Sequence, residues 1–551
     1  MKKALPMLLV IVLVMTSLVE QGRSHACGST FFGALVQLIP CRAAVAPFTP
    51  VPPSEACCNA IKSLGQPCLC VLVNGPPITG IDRSMALQLP DNTHLNLPPS
   101  PPALPIIGHL HLLTPSLFNS FSNLSSKYGP LLYLRLGAAR CLLVSSASMA
   151  SEVFKTHDLA FSSRPVFAFA DKLLYGTSGF ITAPYGDYWR FMKKLCVTEL
   201  LGVRQLERSR TIRREELRRL LVIVMEKASK NEVLDVGGEL MRLTNNVTCR
   251  MVMSTRCSED DGDAERCREL VKESFELAAK LCFGDVLGPL KKLGFWIYGK
   301  QAMNVSKRFD ELLERVLKEH EERAEKDEDL MDILLKVYRA EKAEDLFIAG
   351  TDTTAEAMQW TIAELLNHPD AFKRARQEIE SVVGRSRLVE ESDIPSLPYL
   401  QAVVKEALRL YPPGPVTTRE CRQNCRIKGF DIPEKTAVAI NLYAIMRDPD
   451  AWDNPNEFRP ERFLIPSRDQ EQNLFNFVPF GAGRRGCPGS VLAFSLMNTV
   501  IAAMVQCFDW KVGGDGDGDQ KVDMQPGSGM SMSMVQPLLC HPVVHLNPFA
   551  A

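Results

Sequence analysis

Phe480-Gly-Ala-Gly-Arg-Arg-Gly-Cys487-Pro-Gly489 is the stretch on which the reading of this chain turns. Glycines let a backbone turn tightly enough to bring N–H groups up to a sulfur, and a nearby cation favours anionic groups. A thiolate that ligates a metal needs that kind of loop. A lone cysteine is ordinarily a small buried hydrophobe with no further task. The five fixed positions Phe-x-x-Gly-x-Arg-x-Cys-x-Gly, however, arise by chance in roughly one chain of this length in several thousand.

Working outward, Glu406-Ala-Leu-Arg409 lies in an apolar helical run, Tyr399 to Leu410, that stops before Pro412-Pro413. The same Glu-x-x-Arg spacing recurs at Glu207/Arg210 and Glu215/Arg218, so alone it says no more than a surface i,i+3 pair. Ala349-Gly-Thr-Asp-Thr-Thr354 sits in a helical pattern that runs to Leu366 and ends before Pro369. A glycine and several threonines in mid-helix work against propensity, and such violations more often mark function than decoration. Threonine hydroxyls can satisfy a locally bulged carbonyl and open a groove beside a ligand. Trp189-Arg-Phe-Met-Lys-Lys194 pairs aromatics with cations on one helix, a pattern ordinarily found on a solvated face with a half-buried Trp.

The whole chain has 551 residues, 46% hydrophobic and 23% charged, enough for a large core. Lys and Arg number 63 against 64 Asp and Glu, a net charge of −1. That balance supplies no basic field for nucleic acid and no acidic solvating tail. Lys2 and Lys3 precede an apolar run from Leu5 to Val19, and Ser24-His25-Ala26 offers small residues before a cleavage point. The pattern predicts a secretory signal over 1–26, since the apolar run is short for a span of about 20 residues.

Six of the 17 cysteines fall between Cys27 and Cys70, with Cys57-Cys58 adjacent and Cys68-x-Cys70 close behind. In so small a secreted module such density predicts disulfide staples, and spacing alone does not choose their pairing. Residues 27–90 resemble the plant non-specific lipid-transfer and seed-albumin family, through Cys68-Leu-Cys-Val-Leu-Val-Asn-Gly-Pro-Pro and Arg83-Ser-Met-Ala-Leu-Gln-Leu-Pro90. That family closes a helical bundle around an apolar tunnel with four bridges. The next cysteine after Cys70 is Cys141, so two of the family's cysteines are absent and an incomplete, marginally folded module is expected. Five prolines between Leu97 and Pro105 then predict an extended hinge over 91–108.

From Leu97 to Phe549 the motifs, in order, resemble cytochrome P-450 enzymes. The resemblance implies a mainly α fold, large and helix-rich with small β-sheets, over 109–551, preceded by the small disulfide-type helical module. It implies heme b with Cys487 as the thiolate ligand of iron, and Phe480 and Gly489 framing it. Trp189, Lys193, Arg419 and Arg485 would hold the propionates, with Lys at 193 lacking the fork of an arginine. Asp352 and Thr353 would be the acid–alcohol pair beside bound dioxygen. Glu406, Arg409 and Arg462 would form a buried structural network, Arg462 lying in Phe458-Arg-Pro-Glu-Arg-Phe463.

The implied activity is monooxygenation of an apolar or aromatic substrate. Lys373 to Tyr399 and the haem loop look like the flavone and isoflavanone synthase branch. Substrate choice would sit in Val166–Gly176, Val416–Thr418 and Gly527–Met534, whose mostly uncharged character fits such a substrate. The chain carries no dinucleotide or flavin fingerprint, so electrons from NADPH would arrive through a partner reductase at the endoplasmic reticulum membrane. Two departures stand out. Asp329 to Tyr338 reads as a helix, and Ala343 to Ile348 runs straight into the Gly350 motif, where the family has about a dozen more residues. The signal and cysteine module replace the usual anchor, which would send the catalytic part into the lumen, away from the reductase. A secreted lipid- or haem-binding fusion without turnover, or two genes joined in error, are the alternatives.

Overall fold

The structure, a computed structural model, describes residues 41, 54–64, 95–165 except 115 and 138, 180–254, parts of 270–277, 291–322, 344–464, 474–513, 521–527 and 531–549. The chain divides into two compact units, Met1–Asn96 and Leu97–Ala551. The expected signal, the helix at 329–338 and the segment 166–176 lie outside the described residues.

In the first unit, helix α1 spans Glu55–Leu64. The Ser54 hydroxyl accepts the Cys57 N–H at 3.2 Å, satisfying one of the free donors of the first turn. Cys57 is bonded to Cys41, and Ile61 is buried on the same helix. The other cysteine pairings of this module rest on residues outside the described set.

The second unit opens on the proline-rich stretch, which is pinned rather than free. Prolines donate nothing but their carbonyls still accept. Pro99 O takes the Tyr133 N–H at 2.8 Å, and the His109 ring links Pro101 O (2.8 Å) to the Arg135 N–H (2.7 Å). Gly108, at φ +61°, turns so close to the next strand that a Cβ would lie 2.1 Å from Arg135 O. The hinge is therefore part of the folded unit at its C-terminal end.

Helix α2 (Leu117–Tyr128) leads into strands β1 (Leu131–Leu136) and β2 (Ala139–Val144). Helix α3 (Asp187–Leu195), helix α4 (Arg210–Ser229), β3 (Leu234–Asp235) and helix α5 (Val236–Met253) follow, then α6 (Lys291–Glu322), α7 (Glu344–Asn367), α8 (Pro369–Val383) and α9 (Pro398–Leu410). Strands β4 (Val416–Glu420), β5 (Cys425–Ile427), β6 (Phe430–Ile432) and β7 (Ala437–Asn441) precede helix α10 (Ser490–Cys507) and strands β8 (Phe508–Val512) and β9 (Leu539–Val544). One sheet has the order β1-β2-β7-β4, antiparallel except for β2 against β7. The others are β3-β9-β8 and the β5-β6 hairpin. The helix-rich fold with small sheets is as the sequence implied.

The main core lies among α4, α5, α7, α8, α9 and α10. Helix α10 has a mean hydropathy of 1.7, enough to cross a membrane by composition, yet 67% of it is buried inside the unit. It is a core helix. Helix α7 runs close along α5 because both supply small residues: a Cβ on Gly350 would meet Thr248 Oγ1 at 3.1 Å, and one on Gly237 would meet Gln359 at 2.7 Å. Helix α9 begins on Pro398, where a missing N–H costs nothing, and ends at Leu410 ahead of Pro412-Pro413.

On α9, Glu406 and Arg409 are both fully buried and pair at 2.8 Å. Glu406 also accepts from Arg462 Nε and the Arg459 N–H, each at 2.9 Å. Arg409 spends its remaining donors on the carbonyls of Met446 (2.8 Å) and Pro455 (2.7 Å). Every charge has partners, so the network ties α9 to the irregular segment 446–462. Replacing Glu406 with Ala should remove roughly 3–5 kcal/mol, because it strands Arg409 in the interior. Arg462→Ala, at a side chain 11% exposed, should cost distinctly less; denaturant unfolding of the two variants checks the order.

Candidate functional site

A cavity of about 430 Å³ opens between α5, α7, β4, the loop 479–489 and the start of α10. Its walls are mostly apolar, through Leu200, Val247, Met251, Ala357, Val416, Leu442 and Leu496. Phe480, Arg485, Cys487, Gly489, Arg419, Trp189 and Thr353 all line it, so the structure brings together seven side chains and backbone positions drawn from distant parts of the chain. Glu406, Arg409 and Arg462 stand outside it in their own network. Among the described residues no aspartate or glutamate lines the cavity.

The loop is built as a nest around sulfur. Gly481 and Gly483 take positive φ (+64° and +70°), and the Cys487 N–H donates to Phe480 O at 3.0 Å. The Cys487 sulfur opens into the cavity although most of its surroundings are protein. Burial pushes its thiol pKa up, opposed by the Gly489 N–H and by the charges of Lys193 and Arg164. Phe480 stands against Phe494 of α10, ring centres 5.0 Å apart, which braces the loop on the core.

The cations lie close together, with the Asp158 carboxylate acting on Arg419 and Lys193 more weakly than burial does. Arg419 is 2% exposed and donates to Thr417 Oγ1 (3.0 Å) and Thr418 O (2.9 Å). Arg485 donates to Ser162 O (2.7 Å) and Ala183 O, and lies 4.3 Å over the Trp189 ring. Neither arginine makes an ion pair among the described residues. Burial, then the charge of Arg164, drives Arg419 well below its ordinary pKa and Arg485 down to about 9. Lys193, whose ammonium is 5.2 Å from the Trp189 ring centre, donates to Arg484 O and is also lowered, by burial and then by Arg485. Lys193 flanks the cavity rather than lining it.

Arg164 also lines the cavity, and the sequence reading passed over it because Ser163-Arg-Pro165 carries no pattern. Asp352 does not reach the wall. It sits one turn before Glu356, a buried carboxyl pushed up to about 8 by burial and then by the charge of Asp352. Ser531 Oγ donates to Glu356 at 2.9 Å, so this carboxyl joins α7 to the 531–534 segment. The expected bulge is not found: α7 is continuous α-helix from Glu344 to Asn367, and the groove there comes from Gly350 and the threonines themselves.

A model of the cytochrome P-450 family matches residues 98–539, and one of the protease inhibitor, seed storage and lipid-transfer family matches residues 27–102. The chain belongs to the cytochrome P-450 family. It is 50% identical to cytochrome P-450 705A5 of Arabidopsis thaliana over 470 residues, 81% of this chain and 91% of the relative. It is 42% identical to 3,9-dihydroxypterocarpan 6A-monooxygenase of Glycine max, covering 82% and 94% of the two chains. A zebra fish cytochrome P-450 solved with progesterone superposes with a TM-score of 0.66 at 28% identity, over 78% of this chain and all (100%) of that one.

The chain is thus a P-450-type monooxygenase whose family cofactor is haem, with electrons delivered from a reductase. The residues present fit that group. Haem carries two carboxylates, and three guanidiniums, those of Arg164, Arg419 and Arg485, line the cavity.

The loop's geometry is itself testable. A Cβ on Gly483 would lie 2.6 Å from Asp158 Oδ1 and 2.8 Å from Phe154 O. Gly483→Ala should cost roughly 1–3 kcal/mol in thermal unfolding and lower haem incorporation. Gly429→Ala, at φ +87° with nothing within 4 Å, carries the strain without the clash and should cost less.

Proposed function

We propose that the chain inserts one oxygen atom of O₂ into an apolar aromatic substrate, with Cys487 as the thiolate ligand of haem iron. The observation that carries this reading is one cavity lined both by the Cys487 loop and by the guanidiniums of Arg164, Arg419 and Arg485. Bound haem supplies the iron centre at which oxygen is reduced. Arg419, Arg485, Lys193 and Arg164 would hold its propionates, and Trp189 stacks under the Arg485 guanidinium. Phe480 and Gly489 keep the sulfur in a backbone nest, where N–H donation and nearby cations favour the thiolate against the effect of burial. Thr353 lines the cavity wall, where its hydroxyl would serve as a proton donor, and Asp352 on the same helix would resupply that proton. Protonated Glu356 stands one turn behind Asp352.

Apolar walls around a few hydroxyls suit a flat aromatic molecule of the flavonoid kind. The relative named as a dihydroxypterocarpan monooxygenase supports that class. NADPH–cytochrome reductase is the proposed electron donor. Replacing Cys487 with Ser should abolish the thiolate-type absorbance of the reduced, CO-bound protein, because a serine hydroxyl does not ionise to supply the same donation. A variant that keeps the parent spectrum removes Cys487 as the ligand.

We place the chain at the endoplasmic reticulum, directed by Lys2, Lys3 and the apolar run to Val19, with residues from Cys27 onward in the lumen. The unit from 97 onward carries three acceptor sequons that report topology, at Asn123, Asn246 and Asn304. Asn123 and Asn304 are exposed, whereas Asn246 is 1% exposed and donates to Glu216 at 3.1 Å. A glycan on Asn246 is incompatible with folded α5. Full-length protein from plant microsomes should therefore shift on deglycosylation, and Asn123→Gln with Asn304→Gln should abolish the shift. It should also turn over poorly with a cytosolic reductase, as a haem-binding protein short of electrons. Absence of any shift, together with digestion of the catalytic unit by protease outside sealed microsomes, overturns the lumenal placement.

A further inference from the structure

Cys421 and Cys425 bracket the turn between β4 and β5, outside the haem cavity. Cys421 is fully buried and fixed on both sides: its N–H donates to Thr436 O at 2.9 Å, and its carbonyl accepts the Lys435 N–H at 2.7 Å. Both thiols are free, and their sulfurs are 3.7 Å apart. Cys425 is half-buried at the start of the two-stranded β5-β6 hairpin, where it pairs with Ile432. One partner is thus rigid and shielded, and the other sits on the edge of a small hairpin within reach of solvent. The Cys421 sulfur donates to Gln423 O at 2.9 Å, and its contact with the Cys425 sulfur, then burial, favour the protonated form of Cys421. The same contact lowers Cys425 and makes it the readier thiolate.

We propose that Cys421 and Cys425 form an oxidation site at which hydrogen peroxide converts two thiols to a disulfide, independently of Cys487. The Cys425 thiolate attacks one peroxide oxygen and the O–O bond breaks, giving Cys425 sulfenic acid and hydroxide. The Cys421 sulfur then attacks the Cys425 sulfur, the S–O bond breaks, and the Cys421 proton leaves with the second water. In sum two thiols and one peroxide give one disulfide and two waters. For the bond to form, the sulfurs close from 3.7 Å to about 2.0 Å.

The turn is not remote from function. Two residues before it Arg419 faces the cavity, the Glu420 N–H donates to Ser163 O at 2.8 Å, and the Arg422 N–H donates to Ala160 O at 2.8 Å. Closure of 421–425 therefore adds a covalent constraint to the strand end that carries a propionate-facing arginine.

The test uses the full, haem-loaded chain, first reduced and then exposed to stoichiometric hydrogen peroxide. Free thiols are blocked with one alkylating reagent, disulfides are reduced, and the released thiols take a second reagent of different mass. Cys421 and Cys425 should both carry the second label after peroxide. Cys141, Cys507 and Cys540, whose thiols burial pushes up to about 12, should keep the low reactivity they show before it. Cys421→Ala should halt the reaction at a sulfenic acid on Cys425, captured by a dimedone-type probe. Cys425→Ser should leave Cys421 without the second label. The proposal is overturned if Cys421 and Cys425 label after peroxide as they do before it, or if Cys421 is still protected in Cys425→Ser.

Discussion

Like charges buried together are the constraint around which the catalytic unit is arranged. Arg164, Arg419 and Arg485 line one cavity with Lys193 beside it, and no carboxylate shares the wall. Removing a cation from water without a counter-ion is expensive, so each must be held by structure formed elsewhere. Arg419 is carried by β4, whose register against β7 is set by five residue pairs from Val416↔Asn441 to Glu420↔Ala437. Arg485 is fastened to Ser162 and Ala183, on either side of the segment that leads from Arg164 to α3. The sheet, α3 and the cysteine loop converge on a concentration of positive charge that a bound anion would relieve.

The Glu406 network shows the opposite solution with the same residue types. There one carboxylate meets two guanidiniums and a backbone N–H, and the leftover donors of Arg409 find carbonyls. A closed cluster of that kind asks nothing of a ligand and serves only to hold α9 to the segment behind it. An open cluster, destabilised in the free protein and relieved on binding, is what a ligand site looks like. The distinction is electrostatic and needs no motif.

Local chemistry was legible in the sequence and distant partnership was not. The cysteine loop, the Trp189 helix and the end of α9 are written in spacings of a few residues, and each forms where the residues predict. Arg164 was missed because its importance comes from β4 and the loop at 485, hundreds of positions away. Glu356 was missed because its burial and its Ser531 partner are set by the chain 175 residues on. The threonines of α7 suggested a bulge, but packing against α5 through Gly350 keeps the helix regular. The prolines suggested a hinge, and composition could not show that their carbonyls would be claimed by β1 and His109.

The sulfur chemistry of the two units bears on where they belong. Cys41 is bonded to Cys57 in the first unit, and Cys249 is disulfide-bonded in the second, so both carry a mark of an oxidising compartment. A thiolate enzyme survives there only if its free cysteines are protected, and the described ones are protected in different ways. Cys141, Cys196, Cys507 and Cys540 are shut in the core, and the proposed ligation of iron would shield Cys487. Cys421 is buried too, but its sulfur lies 3.7 Å from that of Cys425, which is only half-buried. Among the described thiols this pair is where the redox state of the surroundings would leave a covalent record. It lies two residues of backbone from Arg419, so a bond formed there would act on the strand that carries a cavity-lining cation.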